Sequence, residues 1–140
     1  RVPDAGFDVF GFQPSRRVVT LCRSAGVALT PDLPDLRAEL GRRAVAVLPF
    51  VSGRGIKNKL LEAAALGRAV ACTPLALTGA KGRPPVRCDR DPRRLAAAVA
   101  GLLRDPAECR RLGAAARDWV TAEHSWAAAA AAAEAGLRAG

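Results

Sequence analysis

The alternation of short apolar runs with segments of helical periodicity is the feature that most constrains the fold of this sequence. The apolar runs predict strands at 7–12, 27–29, 44–48, 69–72 and 86–88. The helical segments between these runs are long enough to be crossover connections, which join parallel rather than antiparallel strands. The sequence therefore predicts an α/β fold, a Rossmann-like doubly wound parallel sheet, in which 44–48 is the clearest buried strand. Its 140 residues fit a single domain.

Residues that can cap helices indicate where the first helices begin. Ser15 predicts a helix that extends to residue 25. Asp32 and Pro34 together introduce a second helix, which we expect over 33–40.

The last third of the chain predicts three C-terminal helices, because a capping residue precedes each of three helical segments. The predicted starts are Asp91-Pro92, Asp105-Pro106 and Ser125. We expect the alanine tract 127–133 to pack closely against the domain through its small side chains. Trp119 and Trp126 are the expected anchors of this region.

The net charge of +9 is concentrated in one part of the chain. Nine of the 22 lysines and arginines lie between residues 41 and 87, where Glu62 is the sole acid. Such a segment suits an anionic small molecule at least as well as a nucleic acid, for which we expect a longer basic stripe with stacking aromatics. A solvated basic face is the third interpretation that stays open.

The cysteine and histidine content excludes several kinds of site. The four cysteines, at 22, 72, 88 and 109, have the spacing of neither a zinc knuckle nor a small disulfide scaffold, so we expect buried, reduced thiols. His124 is the sole histidine, which excludes a multi-histidine metal centre, and we expect it to be structural. No apolar run is long enough to span a bilayer, and we expect a cytoplasmic location.

The segment 49–67 has the residue types of an anion-binding site. It joins the buried strand to a helix predicted over 57–66. Gly53 and Gly55 permit a tight backbone before this helix, where unpaired N–H groups and the helix dipole favour a phosphate. Glu62 lies about one turn deeper, and its carboxylate can accept both hydroxyls of a ribose.

Spacing alone does not decide between the interpretations of this segment. It contains no Gly-x-x-x-x-Gly-Lys-Ser/Thr motif, and Asn58 stands where the dinucleotide-binding fingerprint has glycine. Glu62 could also be an exposed helix acid that pairs with Lys59. Both interpretations of Glu62 stay open at this point.

The residues around this segment resemble a known family. Residues 53–63, GRGIKNKLLEA, and 67–73, GRAVACT, are similar to the donor-binding segment of GT-B glycosyltransferases of the family 4 type. The similarity extends upstream to 26–30, GVALT, and downstream to Ser125-Trp126, so that it covers nearly all of the chain.

The resemblance implies that residues 1–140 are the nucleotide-sugar-binding C-terminal domain of a longer glycosyltransferase, and that they lack the first strand–helix unit of that domain. It implies a retaining hexosyltransferase whose donor is a nucleotide-diphosphate sugar. The acceptor would be held by an N-terminal domain of the same protein, through which the enzyme could associate with the inner face of a membrane. We expect no metal, no cofactor and no nucleic-acid partner, and we expect the fragment alone to be inactive.

The resemblance also suggests roles for individual residues. The donor-binding residues would be Gly53, Arg54, Gly55, Ile56, Lys57, Asn58 and Glu62, with Glu62 on the ribose. Thr30 and Leu33 would lie near the nucleotide base. No catalytic residue is assigned. Arg54 stands where the family often has a glutamate that contacts the donor sugar, which leaves the identity of the sugar open.

Two other functions remain as alternatives. The sequence pI near 10.9 is compatible with a nucleic-acid-binding module, whose affinity would fall steeply with salt. The chain could also be a catalytically silent domain that keeps the glycosyltransferase fold for assembly.

Overall fold

A computed structural model of the chain describes residues 2–138, and its elements follow the predicted α/β order. The strands are β1 (Asp8–Gly11), β2 (Ala28–Pro31), β3 (Val45–Leu48), β4 (Ala69–Cys72) and β5 (Arg87–Cys88). The helices are α1 (Arg16–Ser24), α2 (Leu36–Gly41), α3 (Asn58–Ala65), α4 (Pro92–Arg104), α5 (Pro106–His124) and α6 (Trp126–Arg138). Arg1 and residues 139–140, which belong to the domain expected from the sequence, lie outside the described residues.

All the paired strands are parallel, and they form two sheets. One sheet contains β1 and β2, and the other has the order β3-β4-β5. In the second sheet Val45 lies opposite Ala69, and Cys72 lies opposite Cys88. The predicted α/β class, with parallel strands and C-terminal helices, is therefore confirmed, and the strands are divided between two small sheets.

Side-chain caps confirm most of the predicted helix starts. Ser15 Oγ accepts the Val18 amide at 3.4 Å, and Asp91 Oδ1 accepts the Arg93 amide at 2.7 Å. In the same way Asp105 accepts the Glu108 amide and Ser125 accepts the Ala128 amide. These bonds satisfy N–H groups that have no partner within their own helices.

The start of α2 differs from the prediction. This helix begins at Leu36, where Asp35 Oδ1 accepts the Arg37 amide at 2.8 Å. Asp32 has a φ of +51° and uses its carboxylate to accept the Gln13 amide at 2.7 Å. Because its carboxylate is bound to the Gln13 amide, just after β1, Asp32 does not cap α2.

The hydrophobic core lies between the β3-β4-β5 sheet, α3 and α5. Its fully buried members include Leu60 on α3 and Val70 on β4, and Trp119 on α5 is 9% exposed. Helix α5 approaches the chain between α3 and β4 so closely that Gly113 faces the Gly67 carbonyl group. The core therefore supports the strand, loop and helix that contain residues 49–67.

The first part of the chain is much less buried. Of the described residues before β3, Cys22 is the only buried hydrophobic one. Phe12 and Leu21 are 80% and 64% exposed. The β1-β2 sheet is joined to the rest by Arg43, whose Nε lies 3.0 Å from Asp8 Oδ2 and whose guanidinium lies over the Phe10 ring. This half of the structure has little core of its own.

Three predictions about packing are wrong. Trp126 is 92% exposed because α6 packs only along part of α5, so Trp119 is the sole tryptophan anchor of the described residues. The alanines of α6 whose side chains are described are exposed, apart from Ala128, and do not form a packed face. Cys88 is exposed because β5 is the edge strand, whereas the other three cysteines are buried as expected, and all four are free.

Candidate functional site

The β3–α3 loop, residues 49–57, leaves the carboxyl edge of the three-stranded sheet and contains most of the residues singled out in the sequence. Ligands of open parallel α/β sheets bind at this edge. The start of the loop is fixed to β4, because the Thr73 hydroxyl donates to the Phe50 carbonyl oxygen at 2.6 Å and the Thr73 amide donates to the Leu48 carbonyl oxygen at 3.2 Å. The loop is thus held by the neighbouring strand.

Lys57 folds back onto the loop that precedes it. Its Nζ donates to the Arg54 carbonyl oxygen at 2.8 Å. A Cβ at Gly53 would lie 3.1 Å from that Nζ, and Gly53 has a φ of +122°, which side chains of L residues rarely adopt. The partner of Lys57 is a neutral carbonyl, so the ammonium charge stays unneutralised inside the loop.

The amides at the start of α3 have no acceptor in the protein. Among residues 2–138, no hydrogen bond is made by the backbone N–H groups of Gly55, Ile56, Lys57 or Asn58. The residue at the cap position, Lys57, gives no side-chain cap. The other five α-helices each have a Ser or Asp whose oxygen accepts a first-turn amide, so α3 is the exception among the α-helices of residues 2–138. An anion bound there would satisfy these donors.

Glu62 lies one turn along α3 and is paired with a neighbour. Lys59 Nζ is 3.2 Å from Glu62 Oε2, and the two side chains are 53% and 34% exposed. This is the arrangement of the alternative interpretation, a helix acid paired with Lys59. It does not prevent ligand binding, because an exposed pair of this kind contributes about 0–1 kcal/mol and can exchange partners at small cost.

Most of the other basic residues in 41–87 are bound to groups of the protein itself. Arg43 pairs with Asp8 and Glu39, and Arg87 pairs with Glu108 at 2.7 Å. Arg68 donates to the carbonyl oxygens of Leu66, Gly41 and Arg43. Arg54, by contrast, makes no side-chain hydrogen bond or ion pair within residues 2–138 and is exposed. Lys81 and Arg83, in the loop after β4, are likewise exposed and make no side-chain hydrogen bond or ion pair within residues 2–138. Apart from Arg68, the positive charge of 41–87 that has no acidic partner therefore lies in the β3–α3 loop and in the loop after β4.

The structure brings the seven predicted donor-binding residues together but does not bring the two base-site residues to them. Residues 53–58 and Glu62 occupy one continuous loop and helix turn. Thr30 is exposed near the end of β2, in the other sheet, and Leu33 is half-buried shortly after it. Within residues 2–138, no hydrogen bond or ion pair joins these two groups.

The loop that follows β4 makes contacts that the sequence did not indicate. Gly79 lies so close to Ile56 that an added Cβ would be 2.7 Å from Ile56 Cγ1. Farther along, the Lys81 amide donates to His124 Nε2 at 3.1 Å, and the Trp119 indole N–H donates to the Lys81 carbonyl oxygen at 2.9 Å. These bonds confirm a structural role for His124. The glycines and prolines of 73–85 are typical of a loop but give no sign of these contacts.

Two cavities lie at the opposite edge of the sheet, before β4. They have volumes of about 240 and 510 Å³, and both are lined by Gly67, Arg68 and Arg110. No group of three or more histidine, cysteine or acidic side chains within residues 2–138 is arranged to hold a metal ion. Within the same range, no helix combines the length and apolar character needed to cross a membrane.

The comparison with protein families assigns the chain to a family, which the geometry of the site alone does not. The family profile described as Glycosyl transferases group 1 matches residues 1–105 of the 140. The chain belongs to the group 1 glycosyltransferases. The matched range includes both sheets, the β3–α3 loop and Glu62. No curated protein matches this group 1 glycosyltransferase chain. Its α/β architecture, with parallel strands and C-terminal helices, is that of a Rossmann-like domain in a GT-B glycosyltransferase.

Proposed function

We propose that this chain is the donor-binding part of a retaining glycosyltransferase of the family 4 type, which moves a hexose from a nucleotide-diphosphate sugar to an acceptor. The observation that carries the proposal is the uncapped start of α3, where the amides of residues 55–58 have no acceptor within residues 2–138. The family membership supports a nucleotide-diphosphate sugar as the anion at this position.

The diphosphate would lie against the β3–α3 loop. Free N–H groups would donate to its oxygens, and the helix dipole, Lys57 and Arg54 would balance its charge. Because Arg54 and Lys57 lie within one short loop, a compact anion fits the site better than a nucleic-acid backbone, which needs a longer track of cations. The same residues would stabilise the leaving diphosphate without a metal ion.

Glu62 would hold the ribose. Its carboxylate is one helical turn from the uncapped amides, which is about 5.4 Å along the axis. On binding, the two ribose hydroxyls would donate to the carboxylate, and Lys59 would turn to the neighbouring phosphate. Such charge-assisted hydrogen bonds contribute about 1.5–3 kcal/mol each.

Arg54 would influence the choice of sugar. It is exposed, lies beside Gly53 and Gly55, and makes no side-chain bond in the described part of the chain. A guanidinium there would contact either a phosphate or an acidic donor sugar. If donor selectivity is the same after Arg54→Glu, the acidic-sugar assignment is wrong.

We also propose that the two sheets are halves of one doubly wound sheet. In the Rossmann strand order 3-2-1-4-5-6, the first strand lies between the second and the fourth. Here β1 and β3 each pair on one side only, and Arg43 bridges from the start of β3 to Asp8 at the start of β1. A preceding strand–helix unit would fit between β1 and β3 and would cover exposed side chains such as Leu21. Amides of β1 that exchange equally fast in the 140-residue chain and in a longer protein would contradict this placement.

Calorimetry on the full-length protein tests the donor site. With a panel of nucleotide sugars and free nucleoside diphosphates, we expect Glu62→Ala to weaken binding roughly tenfold or more. The matched control is Glu108→Ala. Like Glu62, Glu108 is a partly buried helix acid paired with a basic residue three positions away, but it lies on α5. Equal affinities for wild type and Glu62→Ala would remove Glu62 from the site.

The purified 140-residue chain supplies a second test. Since the acceptor would bind to another domain, we expect no sugar transfer by this chain alone. Nucleotide-sugar turnover by the isolated chain would overturn the assignment of its role as the donor half. Intact folding of the full-length protein without any nucleotide-sugar binding would instead favour a catalytically silent domain.

A further inference from the structure

Two cysteines are direct neighbours across the strands β4 and β5. Cys72 lies opposite Cys88 in the parallel register, and both are free thiols. Neighbouring strands are about 4.8 Å apart, which is inside the range of about 4.4–6.8 Å that a disulfide spans between Cα atoms. The other two cysteines, Cys22 and Cys109, are buried in the separate helices α1 and α5.

The strand that carries Cys88 can adjust to a covalent link. It has two residues, lies at the edge of its sheet, and is followed by Asp89, whose amide donates to the Cys72 carbonyl oxygen at 3.1 Å. This bond keeps the two strand ends together. A short edge strand can therefore shift by the small distance that brings the two Cβ atoms within about 3.5–4.5 Å.

The two thiols differ in accessibility. Cys88 is exposed, so a small oxidant can reach its sulfur directly. Cys72 is fully buried, and this burial, followed by the proximity of Cys88, raises the pKa of the Cys72 thiol to about 12. Because an oxidant reaches Cys88 directly, whereas Cys72 is buried and its raised pKa disfavours the attacking thiolate form, Cys88 is the first thiol to react and Cys72 is the second.

We propose that Cys72 and Cys88 are a modification site, a dithiol that a small disulfide oxidant converts into an intramolecular disulfide. Cys88 loses its proton, its sulfur bonds to one sulfur of the oxidant, and the other half of the oxidant leaves as a thiol. Cys72 then loses its proton and attacks the Cys88 sulfur, which releases the second half as a thiol. Two protein thiols are oxidised by two electrons, and one oxidant disulfide is reduced.

This disulfide would restrain the segment that supports the β3–α3 loop. Residues 72–88 would become a closed ring that contains Thr73, which binds Phe50, and Gly79, which packs on Ile56. Closure of such a ring lowers the entropy of the unfolded chain. Oxidation should therefore make this region more rigid and the fold more stable, whether or not the loop binds a nucleotide sugar.

The experiment treats the 140-residue chain with oxidised glutathione and counts thiols after denaturation. We expect the four free thiols of the wild type to fall to two, and those of Cys22→Ala/Cys109→Ala to fall from two to none. Tryptic digestion should yield residues 69–81 disulfide-linked to residues 88–90. The melting temperature should rise by roughly 5 °C or more.

Single-cysteine variants distinguish this pair from general thiol oxidation. Cys72→Ser should accumulate a glutathione adduct at Cys88, and Cys88→Ser should keep its three thiols under the same conditions. The proposal is overturned if wild-type Cys88 carries glutathione while Cys72 stays a free thiol. It is also overturned if the disulfide joins two chains, or if Cys22 or Cys109 is oxidised as fast as the pair.

Discussion

The Thr73 hydroxyl donates a 2.6 Å hydrogen bond to the carbonyl oxygen of Phe50. Thr73 is the first residue after β4, and Phe50 lies at the start of the β3–α3 loop. The bond therefore connects the ends of two adjacent strands at the edge where we propose that the donor binds. It leaves the amides farther along the loop free to meet a ligand.

Replacement of Thr73 by valine tests this connection. Thr73→Val keeps the side-chain shape but removes the donor, so that a partly buried carbonyl oxygen loses its partner. We expect a loss of about 1 kcal/mol in the free energy of unfolding, together with weaker nucleotide-sugar binding in the full-length protein. Urea denaturation measures the first effect. Thr78→Val is the control, because Thr78 is exposed and its hydroxyl makes no hydrogen bond in the described part of the chain. Equal stability of the two variants would show that the Thr73 bond is unimportant.

The close approach of α5 to the turn before β4 leads us to expect that a larger residue at position 113 destabilises the fold. A Cβ at Gly113 would collide with the Gly67 carbonyl oxygen and lie 3.0 Å from its carbon. Since backbone on both sides must shift, we expect Gly113→Ala to cost about 2 kcal/mol or more of the free energy of unfolding. Gly101→Ala, in the last turn of α4 with open space around it, should instead gain roughly 0.5–1 kcal/mol. Thermal denaturation of both variants measures these effects. A Gly113→Ala protein that is more stable than the wild type would contradict the close packing of α5 on Gly67.

Local signals in the sequence were sufficient to predict much of this fold. Ser15, Asp91 and Asp105 cap the helices that they were expected to cap, because a cap bond joins residues two or three positions apart. The strand-to-helix segment around Gly53 was predicted for the same reason, since its turn and helix signals are contiguous. Asp32 was misassigned because its carboxylate binds Gln13, 19 residues away, which no local pattern reveals.

Contacts between distant residues account for the other errors. Trp119 and Trp126 are equally apolar in sequence, but only Trp119 faces the core, because that depends on how α5 packs on β4. The pairing of Cys72 with Cys88 follows from strand order and register, which the sequence does not specify by spacing. Likewise, nothing near Ile56 in the chain indicated that Gly79 would pack against it.

The two tryptophans provide a matched pair of substitutions. Trp119→Phe removes the indole N–H that donates to the Lys81 carbonyl oxygen and leaves part of a buried volume empty. We expect it to lower the free energy of unfolding by about 1–3 kcal/mol. Trp126→Phe, at a side chain that is 92% exposed, should change it by less than about 0.5 kcal/mol. Fluorescence should also differ, since the emission of the Trp119-only protein should be blue-shifted relative to that of the Trp126-only protein. Similar costs for the two variants would contradict the observed burial.

The link between β5 and α5 depends on an ionised carboxylate, so its contribution should vary with pH. Glu108 accepts hydrogen bonds from Arg111 Nε at 2.6 Å and from Arg87 at 2.7 Å. The hydrogen bond from Arg111, aided by the charges of both arginines, holds the pKa of the Glu108 carboxyl below its ordinary value of 4.5. A carboxyl whose pKa is lowered on folding stabilises the native state above the unfolded pKa, and this stabilisation is lost as the pH falls through the folded pKa.

We therefore expect Glu108→Gln to melt at a lower temperature than the wild type near pH 7, where the carboxylate is fully charged. The difference should shrink as the pH falls below about 4.5 and approach zero once the wild-type carboxyl is protonated. Because these side chains are partly exposed, 1 M NaCl should also reduce the difference at pH 7. Asp118→Asn on the same helix is the control, since Asp118 is exposed and has no ion pair within residues 2–138. A difference in melting temperature that is the same from pH 3 to pH 7 would mean that Glu108 acts through its shape and not through its charge.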